Sequence, residues 1–393
     1  MTPNRRAVVT AAAGAVLAGG LNTDAAAAAP GDDRLQRSTD AIRDAGATGV
    51  LTVLRNARHR TAARSGVADL RAGDPVPWDA YYRIGSETKT FTAALALQLA
   101  GEGRIRLTDT VEHWLPGLVR GNGNDGRRIT VVNLLRQTSG LNNYVDLSDF
   151  TAAAYRATRF RPPDTAEQQV AAALRKPPAW LPGRDDPAGE RRWAYSNTNY
   201  VVLGMLLEKA GGHSWAQLLH DRVIEPLGLR RTFTAGTSPY VPQPTATAYT
   251  RFPGDPRPTD TTLAAAGGAD GGIISTPHDL TTFLRALMGG RLLGPEQLAA
   301  MKQTVPAPGW VLAPGVRYGL GIAWRPVADS ASGIWFHGGT HLGVVSESGV
   351  TPDGGRAAAA AVFTLDTDEA RSRAQALAGL RLVNDALTGP GND

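Results

Sequence analysis

The apolar positions of this chain follow two periods, and the periods are sorted by place. Gly49-Val-Leu-Thr-Val-Leu54 is a continuous apolar run of strand length, and residues 58–66 read as a weaker strand returning from it. Near the other end, residues 318–324, 334–337, 343–350 and 356–365 are short strand-like runs. Glycines separate them, as does Thr351-Pro-Asp-Gly-Gly355, a hairpin-turn signal. A last helix is expected over 368–387. The stretch between is helical in pattern. A helix beginning at Ser86 runs through Phe91, Leu95, Leu97 and Leu99 to Gly101-Glu-Gly103, and its alanines predict burial on most sides. From Thr108 to about Phe252 helical patterns over 131–137, 166–176 and 200–210 alternate with Pro/Gly-rich loops. Residues 279–288 form one more amphipathic helix, opened by Thr276-Pro277 and stopped by Gly289-Gly290. Strands at both ends around a helical middle predict an α+β fold. One antiparallel sheet is built from both chain ends and flanked by helices, with an all-helical lobe inserted over roughly 108–260.

Composition narrows the class. At 393 residues, 42% hydrophobic and 20% charged, the chain suits one large domain or two packed subdomains of a soluble globular protein. A net charge of +5 without like-charge blocks or basic–aromatic alternation argues against nucleic acid as a partner. There is no cysteine, which excludes thiol catalysis and thiolate metal sites. Asn4-Arg5-Arg6 precedes a weakly apolar run over 7–18, and the alanines at 25–29 offer an A-x-A cleavage site. That is the layout of a signal peptide over 1–29, of twin-arginine type. The mature protein, 30–393, is expected to be secreted or cell-wall-associated, without a membrane span.

Three short segments carry candidate chemistry. In Ser86-Glu-Thr-Lys89 the serine and lysine share a helix face about one turn apart, which sets an amine beside a hydroxyl. Only four of the 41 basic residues are lysines, and an amine, unlike a guanidinium, can give up its proton. Tyr195-Ser-Asn197 lies directly before an apolar helix; a phenol there can relay a proton, and an amide can bond both a substrate carbonyl and a lysine. His337-Gly338-Gly339-Thr340 follows a strand, and its glycines let a substrate backbone come close, with His337 as cation or donor. Read singly, these are also a helix start with a solvated lysine, an Asn N-cap and a turn after a strand.

Taken in order, the three segments match the layout of penicillin-recognising serine hydrolases. The chain resembles the β-lactamase/transpeptidase-like family of D-alanyl-D-alanine carboxypeptidases, class C β-lactamases, esterases and D-peptidases. The likeness extends to Leu134-Leu-Arg-Gln-Thr-Ser-Gly-Leu141, Tyr195-Ser-Asn-Thr-Asn-Tyr200, Pro226-Leu-Gly-Leu229 and the stretch from Gly267-Gly268 to Ser275-Thr276. The resemblance implies Ser86 as acylated nucleophile, Lys89 and Tyr195 as proton-transfer groups, Asn197 as substrate anchor and His337 as electrostatic support for Tyr195. It implies Gly338, Gly339 and Thr340 as a substrate-binding strand, with the Ser86 and Thr340 N–H groups as oxyanion donors. It implies no metal and no cofactor. Expected substrates are small peptides, esters or β-lactams, wall stem peptides included, acted on by a monomer. The leading expectation is a secreted D-alanyl-D-alanine carboxypeptidase. An esterase, a D-aminopeptidase or amidase, a β-lactamase, or a non-catalytic penicillin-fold binding protein are the alternatives. Two positions depart from the carboxypeptidase pattern. Gly338 stands where a threonine often grips the substrate carboxylate, and Ala323 stands where an arginine does so. Arg325, two residues on and therefore on the same strand face, is the candidate replacement.

Overall fold

The first long strand of the chain pairs with one near its end. Gly49–Arg55 runs antiparallel to Ala357–Val362, with Val50 opposite Val362 and Arg55 opposite Ala357. In the computed structural model, which describes residues 33–146, 150–183, 192–265, 267–327 and 330–389, this pairing closes a nine-stranded sheet. The leader read over 1–29 lies outside those residues. The strand order is Val305–Pro306, Arg317–Tyr318, Ala323–Val327, Ser330–Phe336, Val344–Val350, Ala357–Val362, Gly49–Arg55, Arg60–Gly66, with Gly338–His341 also alongside Val344–Val350. All of its pairings are antiparallel, as the sequence predicts. The expected strand over 318–324 is split, because Gly319-Leu-Gly321-Ile322 leaves the ladder. Gly319 N bonds Ile322 O (2.8 Å) and Gly321 N bonds Leu135 O (3.1 Å), tying this loop to the lobe.

The sheet separates two cores by its period of two. Leu51, Trp335, Ala357, Ala359 and Ala361 join the larger core with the Thr88–Gly101 helix, the Pro277–Met288 helix and the lobe. Val50, Ala323, Ile334, Phe336, Ala358, Ala360 and Val362 face the terminal helices Asp33–Asp44 and Glu369–Thr388. The run of small alanines over 357–361 lets helices sit close on both sides.

The lobe holds the helices Val131–Arg136, Ala152–Thr158, Ala166–Ala173, Asn197–Gly211 and Trp215–Leu219. Capping boxes at Thr130 and Thr165 start two of them. Short strands also lie within 108–260 and stitch its end to the rest of the molecule. Phe233–Thr234 pairs with Ile273–Ser275, and Tyr249–Arg251 runs parallel to Thr364–Asp366. Among the described residues no helix is long and apolar enough to cross a membrane.

Candidate active site

Ser86 lies in a 3-10 turn, Gly85–Glu87, that runs straight into the Thr88–Gly101 helix. The helix is buried from Thr88 through Leu97, so the turn stands on a fixed support, and its N-terminal end is electropositive. The Gly338–His341 strand passes the turn backbone to backbone. A Cβ on Gly85, whose φ is +53°, would stand 2.7 Å from Thr340 O, and one on Gly339 would stand 1.8 Å from Ile84 O and 3.2 Å from Ser86 N. Only glycine allows this approach. It brings the backbone of Thr340 alongside that of Ser86, where two N–H groups could hold one oxyanion.

Lys89 is fully buried, and its amine has three neighbours. Nζ lies 3.1 Å from Ser86 Oγ, 2.7 Å from Asn197 Oδ1 and 2.7 Å from the carbonyl oxygen of Asp270. Two of these are oxygens that only accept. A neutral amine has two N–H groups and one lone pair. Once the amine has given up a proton, Asn197 and Asp270 can take both remaining hydrogens and the lone pair then faces the serine hydroxyl, the arrangement a base needs to take its proton.

The acceptors are themselves held. Asn197 opens the Asn197–Gly211 helix, and its Nδ2 and backbone N both donate to Asn143 Oδ1 (3.2 and 3.3 Å). The loop beneath is stitched to the same helix start. Ser196 N donates to Gln137 Oε1 (3.0 Å), Thr198 Oγ1 to Asn142 O (2.7 Å) and Tyr144 N to Thr198 Oγ1 (3.0 Å). Gln137 ends the Val131–Arg136 helix in the left-handed region, φ 65°, which turns the chain toward Tyr195. On the other side, Thr92 Oγ1 donates to Ala269 O (2.7 Å) and Tyr144 Oη to Asp270 Oδ2 (2.8 Å), fixing the carbonyl that receives Lys89. Burial, with the Asp270 carboxylate beside it, pushes the Tyr144 phenol well up, so it remains a donor.

Tyr195 is half-buried, with its ring 5.1 Å from Lys89 Nζ. The ring stacks on Trp310 (5.6 Å between centroids, 18°) and lies 6.4 Å from His337. Among the described residues, the Lys89 hydrogen bonds go to Ser86, Asn197 and Asp270 and none to the phenol. His337 is a neutral ring and not the cation its place allowed. Burial first, and the Lys89 charge second, lower it to about 3. Its Nδ1 is 2.6 Å from Gly338 O, which can only accept, so Nδ1 carries the proton and Nε2 accepts from Tyr318 Oη at 3.1 Å.

Arg325 is not in the site. It shares a strand face with Ala323, but that face is turned to the C-terminal helix, away from Ser86. Only 2% exposed, its guanidinium bonds Asn384 Oδ1 through Nε and Nη2 (3.1 and 2.9 Å) and lies 4.3 Å over the Phe336 ring. Burial lowers it to about 10, still cationic at neutral pH, but it cannot reach a substrate. The remaining sequence candidates, Ser86, Lys89, Tyr195, Asn197, His337, Gly338, Gly339 and Thr340, gather around the turn. Sequence reading missed Asn143, Tyr144, Asp270 and Trp310. Asp270 acts through a carbonyl that any residue could supply, and only the neighbouring Gly267-Gly268 marked that stretch.

Known proteins sharpen the picture. Residues 32–382 match the family described as Beta-lactamase. Penicillin-binding protein 4 of Amycolatopsis lactamdurans is 29% identical over 303 residues, 73% of this chain and 74% of its own. The D-alanyl-D-alanine-carboxypeptidase/endopeptidase AmpH of Escherichia coli is 27% identical over 66% of this chain and 62% of its own. The solved D-stereospecific amidohydrolase from a Streptomyces species superimposes with a TM-score of 0.77 at 37% identity, over 85% of this chain and 95% of that one. The D-amino acid amidase of Ochrobactrum anthropi shares the fold, with a TM-score of 0.74 at 23% identity over 90% and 97% of the two chains. With a family match that takes in the sheet, the lobe and every residue around Ser86, the chain belongs to the beta-lactamase family and is one of its serine hydrolases.

Proposed function

We propose that the protein cleaves an amide bond on the carbonyl side of a D-configured residue, through an acyl-enzyme on Ser86. The observation that carries the serine chemistry is the trio of Lys89 contacts, which leaves the lone pair only the Ser86 hydroxyl. Ser86 Oγ attacks the substrate carbonyl carbon as its proton passes to Lys89 Nζ. The oxyanion is held by the N–H groups of Ser86 and Thr340, each such donor worth about 3 kcal/mol in comparable hydrolases. The C–N bond then breaks, and the amine leaves with the proton from Lys89, relayed by the Tyr195 phenol. Water attacks the ester, returns a proton through Lys89 to Ser86 Oγ, and the acid is released. Gly338 and Gly339 admit the substrate backbone, and Asn197 aligns both Lys89 and the acyl amide.

The leaving group is read as an amine without a carboxylate. Arg325 is buried on the far face, and Gly338 has no hydroxyl to offer. The 37%-identical Streptomyces protein is named for D-stereospecific amide hydrolysis. A D-alanyl-D-alanine carboxypeptidase is the second reading, favoured by AmpH and the penicillin-binding relatives. Mass spectrometry of products from D- and L-amino acid amides, acyl-D-Ala-D-Ala, nitrocefin and a short-chain ester separates them. Turnover of the D-amide well above the L-amide and the acyl dipeptide is expected; preference for the acyl dipeptide would establish the carboxypeptidase. Export through the leader over 1–29 is proposed with it, and sequencing the N-terminus of protein from culture fluid should read from near Pro30.

A further inference from the structure

Glu87 sits between nucleophile and base, and the mechanism above does not use it. It is 1% exposed and bonded to two serines of the Val344–Val350 strand, which the alternation of that strand turns toward the Ser86 turn. Oε1 is 2.7 Å from Ser346 Oγ and Oε2 is 2.7 Å from Ser348 Oγ. Each serine has a further partner: Ser346 Oγ lies 2.9 Å from Tyr82 Oη, and Ser348 Oγ lies 3.0 Å from the carbonyl oxygen of His337. The strand pairings place Trp335 opposite Val350 and Gly338 opposite Glu347, so Ser348 stands opposite His337, and Ser346 is opposite Gly339.

Counting protons settles the state of the acid. The Ser348 hydroxyl has one hydrogen and faces two oxygens, and a carbonyl can only accept. Were Glu87 a carboxylate, one of these two short contacts would have no proton. A neutral Glu87 satisfies all of them once: Tyr82 donates to Ser346, Ser346 to Oε1, Oε2–H to Ser348, and Ser348 to the His337 carbonyl. We infer that Glu87 is a positioning residue held as a neutral carboxylic acid, the central link of a directed hydrogen-bond chain fastening the Ser86 turn to the strand of His337 and Thr340. Its activity consequences rest on the serine chemistry proposed above.

The surroundings agree. Burial pushes Glu87 up to about 8, with the two serine bonds opposing and Glu347 adding slightly. Tyr82, from the preceding strand, is itself pushed up by burial and remains a donor. Glu347 points to the other face, against Gly379 of the C-terminal helix and near Arg325, and burial pushes it up to about 7. His337 is neutral, and the Lys89 amine is turned to Asn197 and Asp270. Among the described residues no cation pairs with Glu87. On ionisation the carboxylate would draw both serine hydroxyls as acceptor only, and Ser348 would release the His337 carbonyl.

Glu87→Gln tests this, because the amide offers one acceptor and a donor at every pH. With a group at about 8, wild-type kcat/KM at pH 9 should be down about tenfold from its pH 7 value, and in E87Q that ratio should recover at least about threefold. Stability follows the same sign. A raised acid contributes stability present below about 4.5 and lost as pH rises through about 8, so the Tm of the wild type, but not of E87Q, should fall over that window from this group. The infrared band of a protonated carboxylic acid should be present at pH 7 in the wild type, reduced in E87Q, and bleached in the wild type by pH 10, with Glu347→Gln as control. These spectra need no substrate, so failure of the amide assay would not touch them. Identical alkaline limbs in wild type and E87Q, or an acid band that E87Q does not reduce, would overturn the inference. Should E87Q not fold, the Glu347→Gln variant decides it: an acid band at pH 7 that survives there supports a neutral Glu87, and its loss there overturns the inference.

Discussion

Two basic side chains, Lys89 and Arg325, are buried on opposite sides of the sheet, and the two are treated alike up to the last contact. Lys89 on one face and Arg325 on the other are 0% and 2% exposed, and each is held by the side-chain oxygen of an asparagine, Asn197 or Asn384. Among the described residues neither has a carboxylate within ion-pair distance, although Glu347 lies near Arg325. Arg325 completes its environment with an aromatic face, whereas Lys89 completes its own with a backbone carbonyl and a serine hydroxyl. A guanidinium keeps its proton under any such arrangement; an amine with only two acceptors around it does not have to. Burial and an amide therefore do not make a catalytic base. The hydroxyl at the third position does, together with a residue able to exchange a proton with it.

Exchanging the residue types breaks the comparison where it matters most. Lys89→Arg gives the site the chemistry of the opposite face: a guanidinium that keeps its proton stands where an amine could give one up. Acylation of Ser86 by a fluorescent penicillin, followed by stopped flow, should slow by about 10²–10⁴-fold, the usual worth of a positioned base. Labelling within a few fold of wild type would mean that the proton goes elsewhere. The converse is Arg325→Met. Asn384 Oδ1 would lose its donors, costing about 1–3 kcal/mol in urea unfolding. kcat/KM should change less than about twofold for a free-carboxylate peptide and its amide alike, since the guanidinium reaches neither. A selective loss with the carboxylate substrate would return Arg325 to the site.

The same pair marks what could be read from the chain. Ser86 and Lys89 were legible because helix geometry makes a three-residue spacing a contact, whatever surrounds it. The sheet was legible from alternation and from the turn over 351–355. That Arg325 shares a face with Ala323 was also legible, but not which face. Alanine suits both cores of this molecule, as the 357–361 run shows by packing against each in turn. Nothing local marked Glu87, because its partners are serines some 260 positions away, brought in by strand register. Trp310 lies on a loop between Pro308-Gly309 and Pro314-Gly315, where nothing local signals that it will meet Tyr195.

A pH measurement sharpens the Lys89 side. His337 is lowered from 6.5 to about 3, by burial first and the Lys89 charge second. A depressed group contributes stability present above its unfolded value and lost as pH falls toward the folded one, here between about 6.5 and 3. Between pH 7 and 5 this group alone should cost the wild type roughly 2 kcal/mol. His337→Gln should lack that share, so its urea midpoint should fall less over the same interval. His341, also lowered to about 3, titrates in both proteins and drops out of the difference. Equal pH dependence in both would mean that His337 is not buried neutral.

The smallest effect concerns the wall behind the base. Trp310 stacks on Tyr195 and meets His337 edge-on at 5.2 Å, so the phenol stands beside Lys89 by packing rather than by a hydrogen bond to it. An aromatic pair is worth about 0.5–1.5 kcal/mol beyond its buried area, so Trp310→Ala should lower kcat by roughly two- to tenfold through a less constrained Tyr195. Trp310→Phe, which keeps a ring, should restore most of it. If the ring acted only as a binding surface, KM would rise in the alanine variant with kcat unchanged, and the phenol's place would have to be set by other contacts. A fall in kcat rescued by Phe makes Trp310 the counterpart of Phe336, the ring under Arg325, on which Trp310 itself stacks at 5.8 Å. Both rings then hold a polar group in place, but only on the Ser86 side does that group stand beside a base able to release its proton.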